Sequence, residues 1–199
     1  MKSNASNKRK GWIEEICRPM FAGKSEELLR RINRFKYADI SYFIFKPKID
    51  TKNSDAASLD RIRSKSVKVN TSSDIINYLN KYESTHKTKI DFIAVDKAQF
   101  LDDKLGPICN HLDNLGYTVY VSGLDRYFRG ILFSSIARVL AYADHLIILT
   151  SICTACGTQV NRNQRLINGE PAKISDSIIQ ICDNESYEAK YRQHHHVKK

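Results

Sequence analysis

A glycine, a lysine and a hydroxyl residue in succession are well suited to binding phosphate, and Gly23-Lys24-Ser25 has that order. With the five residues before it, Arg18-Pro19-Met20-Phe21-Ala22, the segment fits the Walker A pattern G-x-x-x-x-G-K-[ST] except at its first glycine. In such a loop, backbone N–H groups at a helix N-terminus cradle phosphate, the lysine reaches the outer phosphates and the hydroxyl holds Mg²⁺. A bare GKS tripeptide also starts helices by chance, so its context matters. Asp96 is the second candidate: it directly follows the apolar run IDFIAV at 90–95. A carboxylate there is where a Walker B aspartate holds Mg²⁺, unless it is only a helix cap. Cys153 and Cys156 form a C-x-x-C, which in a cytosolic chain suggests metal or redox chemistry.

These groups need a strand before each and a helix after the loop. Residues 11–17 read as a strand ending at the turn signal Pro19. Residues 24–37 place Leu28, Leu29, Ile32 and Phe35 at helical spacing. Residues 40–46 read as a strand and 50–66 as a mobile polar loop, while 73–82 read as a helix capped by Ser72 or Ser73. The run at 90–95 suits a strand buried on both faces of a parallel sheet. A helix over 103–115, a strand over 117–122, a helix over 133–143 and a strand over 145–150 complete the alternation. Strands alternating with helices predict an α/β domain with a parallel sheet, whose ligands sit at the strands' carboxyl ends. Residues 1–10 read as a disordered basic arm, 11–150 as the nucleotide-binding domain and 151–199 as a small subdomain with little core and a His-rich tail.

The chain has 199 residues, 42% of them hydrophobic, enough for one domain with a real core. It shows no membrane-length apolar run and no secretory h-region, so a cytoplasmic protein without membrane contact is expected. The net charge of +10 suits an anionic ligand or is simply a solvated basic surface. Nucleic acid is a poor candidate partner, because the basic stretches carry no interleaved aromatics and no recognised motif. Five cysteines, an odd count, argue against a disulfide framework.

The run GWIEEICRPMFAGKSEELLRRI resembles the opening of the compact, zinc-containing thymidine kinases. So do FKPKID (45–50), VDKAQF (95–100), SGLDRYFRG (122–130), the C-x-x-C and SYEAKYR (186–192), in family order from about Gly11 to His196. The resemblance implies a RecA-like P-loop sheet with a zinc-ribbon-like lasso subdomain. It implies ATP- and Mg²⁺-dependent phosphorylation of the 5′-hydroxyl of thymidine or deoxyuridine, in deoxynucleoside salvage for DNA synthesis, by a homotetramer. It implies that residues 18–25, Asp96 and Gln99 serve ATP and Mg²⁺, and that Met20, Asp50, Leu124, Phe128 and Tyr187 serve the nucleoside. Arg129 falls in a matching motif, and 157–187 resembles the lasso that closes over thymidine through backbone contacts.

Four departures from that pattern fall at chemistry. The family's glutamate, the general base, is here Lys97. A lysine is ordinarily protonated already, so it cannot accept the hydroxyl proton. Arg18 stands where the first loop glycine belongs, which weakens nucleotide binding or adds a phosphate contact. Structural zinc takes four ligands, but the family's third cysteine is here Tyr191. That leaves Cys153, Cys156 and His194, with Cys182 as a substitute if its loop shifts, or a metal-free subdomain. Lys52 replaces an arginine, and Ile131-Leu132 replaces a Glu-Pro pair. Two functions follow: a thymidine kinase impaired at Lys97 and Arg18, or a catalytically inactive nucleotide-binding or assembly paralogue.

Overall fold

The computed structural model describes residues 11–38, 40–49, 66–179 and 185–199. The basic arm, Asp50, most of the loop read over 50–66 (Lys52 included) and Cys182 lie outside the described residues.

Six strands form one parallel sheet: β1 (Trp12–Cys17), β2 (Tyr42–Pro47), β3 (Ser66–Val69), β4 (Phe92–Val95), β5 (Thr118–Gly123) and β6 (His145–Ile148). Their order is β3-β2-β4-β5-β1-β6, and every pairing is parallel. Among the described residues four helices flank it: α1 (Lys24–Tyr37), α2 (Ser73–His86), α3 (Leu105–Asn114) and α4 (Ser134–Leu140). The side-chain alternation of strands sorts the core into two layers. Ile13, Cys17, Phe45, Ile93, Val95, Val119 and Val121 pack with residues of α2, α3 and α4. Ile16, Ile44, Phe92, Ala94 and Tyr120 pack with Leu28, Leu29 and Ile32 of α1. This two-sided burial explains why IAV in β4 is continuously apolar.

The α1 boundaries coincide with the expected ones. Glu26 and Glu27 in its first turn favour the helix start. Strand β3 was not expected, since Ser66 had been read as loop. Its four residues alternate exposed with covered at the sheet edge, too short a pattern to stand out. Ser72 occupies the N-cap of α2 but makes no side-chain cap. Its N–H instead donates to Asp102 Oδ2 at 2.8 Å.

Beyond the sheet lie a two-stranded ribbon, β7 (Ser151–Ile152) with β8 (Gln159–Val160), and an antiparallel sheet ordered β10-β9-β11. The latter comprises β9 (Arg162–Ile167), β10 (Glu170–Pro171) and β11 (Glu185–Lys190). Among the described residues Cys153, Val160 and Ala189, with Tyr191 against them, form the apolar cluster here. Among the described residues no helix is long and apolar enough to cross a membrane.

Candidate phosphate and metal sites

The turn from β1 into α1 runs through residues 18–23. Three of its positions have left-handed φ: Arg18 at 131°, Phe21 at 62° and Gly23 at 75°. Only glycine adopts such angles readily, so Arg18 stands in backbone geometry that suits the glycine it replaces. Glu27 N–H donates to Gly23 O at 2.9 Å, which closes the first turn of α1 behind the loop. The remaining N–H groups of that turn face the loop as an anion-binding end. Lys24 folds across it and donates from Nζ to Pro19 O at 2.6 Å. Burial pushes the Lys24 ammonium down to about 8, against the pull of Asp96 and Asp125.

Strand order sets the distance between the loop and Asp96. β5 lies between β1 and β4, so the two carboxyl ends are about 9–10 Å apart. The first turn of α1 spans the gap, and Ser25 Oγ donates to Asp96 Oδ1 at 3.4 Å. Asp96 is buried. Its other oxygen faces Lys46 Nζ at 3.4 Å, and Lys97 N–H donates to Oδ1 at 3.0 Å. Lys97 itself is left-handed, φ 54°, and starts a single 3₁₀ turn over Ala98–Phe100. Gln99 in that turn accepts the Leu124 N–H on Oε1 at 3.1 Å. Gly123, between them, has no room for a side chain: a Cβ would lie 2.4 Å from Ile136 Cδ1 and 3.1 Å from Gln99 Oε1.

Several neighbours of these groups were not singled out by residue type or spacing. Asp125, buried, pairs with Arg18 and with Arg126, each at 3.4 Å. Glu15 on β1 is fully buried with neither carboxyl oxygen hydrogen-bonded. Burial raises it to about 8, with Asp125 adding and the Cys17 thiol opposing, so it is mostly protonated at neutral pH. Asn163 on β9 accepts the Met20 N–H on Oδ1 at 2.7 Å and donates from Nδ2 to Arg126 O at 2.8 Å. These contacts join positions far apart in the chain, and no local spacing reveals them.

Of the residues expected at the nucleoside, Leu124 is half-buried and Phe128 fully buried. The guanidiniums of Arg129 and Arg165 each lie 5.3 Å from the Phe128 ring centre. Arg129 donates to Asp176 O and Arg165 to Ser177 O at 2.6 Å, so both arginines hold the segment after β10. Tyr187 lies on β11 opposite Arg165.

The thiol cluster is tighter. Cys153, Cys156 and His194 place one ligand atom each within 4.8 Å of one another, and Cys153 Sγ is 3.6 Å from His194 Nδ1. Burial opposes ionisation of Cys153, but the Tyr191 N–H, the His194 ring and the N–H groups of Ala155 and Cys156 bring its thiol down to about 6. Two thiol sulfurs and an imidazole are a donor set that fits Zn²⁺, with three of its four positions filled by the described residues.

The thymidine kinase family model matches residues 11–195. The chain belongs to the thymidine kinase family. It is 42% identical over 202 aligned positions to thymidine kinases from two strains of Ureaplasma parvum serovar 3, covering 98% of this chain and 87% of theirs. It is 40% identical to a thymidine kinase of Ureaplasma urealyticum serovar 10, with the same coverage. Arg18 stands at the first position of the Walker A pattern, where that pattern carries glycine. Here Tyr191 offers its backbone N–H to Cys153 Sγ at 3.2 Å, and it packs beside the small apolar cluster.

Proposed function

We propose that the protein binds ATP and thymidine (or deoxyuridine) and transfers the γ-phosphoryl group to the nucleoside 5′-hydroxyl, with turnover lowered by Lys97 and Arg18. The observation that carries this is the Ser25–Asp96 contact at 3.4 Å, which gathers both magnesium-binding groups beside the phosphate loop. The donors fit the ion: a hydroxyl and a buried carboxylate are the hard oxygen ligands that Mg²⁺ takes. Bound there, Mg²⁺ supplies charge neutralisation on the β- and γ-phosphate oxygens. Lys24, released from Pro19 O, contacts the outer phosphates. Gln99 holds the start of the segment carrying Leu124. In this reading the zinc-ribbon-like subdomain over 151–199 carries the lasso, 157–187, that closes over the nucleoside; Cys153, Cys156 and His194 would hold Zn²⁺ there, and the chain assembles as a homotetramer.

The proton from the 5′-hydroxyl is the weak point. A lysine ammonium has no lone pair to receive it. Loss of a general base costs roughly 10²–10⁴-fold, while positioning and electrostatics leave residual catalysis. The same two residues favour a second reading, an inactive nucleotide-binding or assembly subunit. Phosphorylation of thymidine by the native chain and by Lys97→Glu, at equal concentration, separates the two. Slow native turnover that Lys97→Glu raises by about 10²–10⁴-fold supports the kinase reading. Equal rates sink the role given to Lys97, and no turnover in either leaves the inactive subunit.

A further inference from the structure

We propose that Asn163 is a positioning residue that couples the two halves of the site, so that ATP and the nucleoside each tighten binding of the other. This rests on the function proposed above. The Asn163 side chain is 97% buried, with 3% of its surface exposed. Each end of its amide holds a different segment. Oδ1 accepts the Met20 N–H at 2.7 Å, in the middle of the phosphate loop. Nδ2 donates to Arg126 O at 2.8 Å, between Leu124 and Phe128. The Asn163 backbone carbonyl enters the same knot: His195 Nε2 lies 3.2 Å from it and 2.7 Å from Phe128 O. Both partners are carbonyls, so Nε2 carries the proton.

The phosphate loop needs such a hold. Its left-handed angles at Arg18 and Phe21 are unfavourable for side-chain-bearing residues and persist only where surroundings enforce them. Ser151 Oγ to Phe21 O, at 3.3 Å, is the other tether from beyond the parallel sheet among the described residues and is longer. Asn163 therefore ties the loop geometry that receives phosphate to the backbone of the nucleoside segment. An amide this buried keeps both bonds or leaves a group unsatisfied, so the two segments adopt their bound positions together. Coupling of this kind acts equally in both directions.

The test uses the full chain with Mg²⁺ and a non-transferable β,γ-methylene ATP analogue. Its dissociation constant is measured by calorimetry without and with saturating thymidine, after thymidine binding alone has been titrated. In the native chain thymidine should tighten the analogue about fivefold or more. In Asn163→Ala that ratio should fall to within about twofold of one. Asn163→Asp keeps the acceptor for Met20 and loses the donor for Arg126. Its ratio should collapse, whatever the added carboxylate does to affinity for the analogue alone. A purely structural role would weaken both ligands and leave the ratio intact. If Asn163→Ala does not fold, Asn163→Asp carries the test alone. A native ratio of one, or a ratio preserved in the folded variants, overturns the coupling while leaving the kinase reading standing. A native chain that binds the analogue but no thymidine overturns that reading first, and the coupling with it.

Discussion

The phosphate edge and the thiol cluster are built by opposite means. At the phosphate edge, Ser25, Lys24 and Asp96 come from segments 71 residues apart, yet they stand within bonding reach of each other or of the loop. Parallel ladders on β1, β4 and β5 fix where those segments end. The thiol cluster hangs between two-residue strands, with Val160 and Ala189 buried against Cys153. Its third ligand arrives from near the chain's end. The first site inherits its shape from the sheet and tolerates a replaced motif residue without losing geometry. The second has too little apolar burial to order itself and depends on its ligand count.

Removing a ligand should break that contrast most visibly. Cys153→Ala should cost the zinc and accelerate amide exchange in β9 and β11 about 100-fold or more. Amides of β1, β4 and β5 should stay protected. Exchange measured by mass spectrometry, with zinc content by atomic absorption, reads both. Equal loss of protection in the parallel sheet would mean that the two regions share one cooperative unit and that the contrast is false.

At the phosphate edge the expected change has the opposite sign. Arg18 holds φ 131° and pairs with Asp125 at 3.4 Å. A non-glycine residue in such a region costs on the order of 1–3 kcal/mol. Arg18→Gly should therefore relax the loop and stabilise the ligand-free fold by about 1–3 kcal/mol. Denaturant unfolding of the two chains measures it. A lower stability would show that the ion pair with Asp125 outweighs the backbone strain.

What the sequence disclosed follows the same division. Leu28, Leu29 and Ile32 on helical spacing, and the run ending at Val95, declare α1 and β4 because local periodicity reports burial directly. The phosphate loop and Asp96 were legible because their chemistry needs fixed residue types at the ends of such elements. Asn163, Asp125, His195 and Arg165 were not, because each acts through a contact that only the tertiary fold creates. Ser66–Val69 was missed because an edge strand of Ser-Val-Lys-Val shows too few alternations to separate from loop. Leu146 and Ile148, in the strand read over 145–150, are 41% and 49% exposed, since β6 is the sheet edge.

The smallest expected effect tests whether the sheet alone sets the phosphate edge. Burial lowers the Lys24 ammonium from 10.5 to about 8. Bound triphosphate restores the favourable partner, so above pH 8 ATP binding must take up a proton. Affinity should then fall about five- to tenfold between pH 7 and pH 9. The ligand-free fold should respond in the other direction. The folded value lies below the unfolded one, so between pH 8 and 10.5 the unfolded chain holds more protons and Lys24 contributes rising stability as pH increases. Calorimetric titrations in two buffers of different ionisation enthalpy report the proton uptake, and Lys24→Arg should abolish it. Affinity that is flat with pH would place the lysine charge in water and take from the sheet its role in desolvating the phosphate edge.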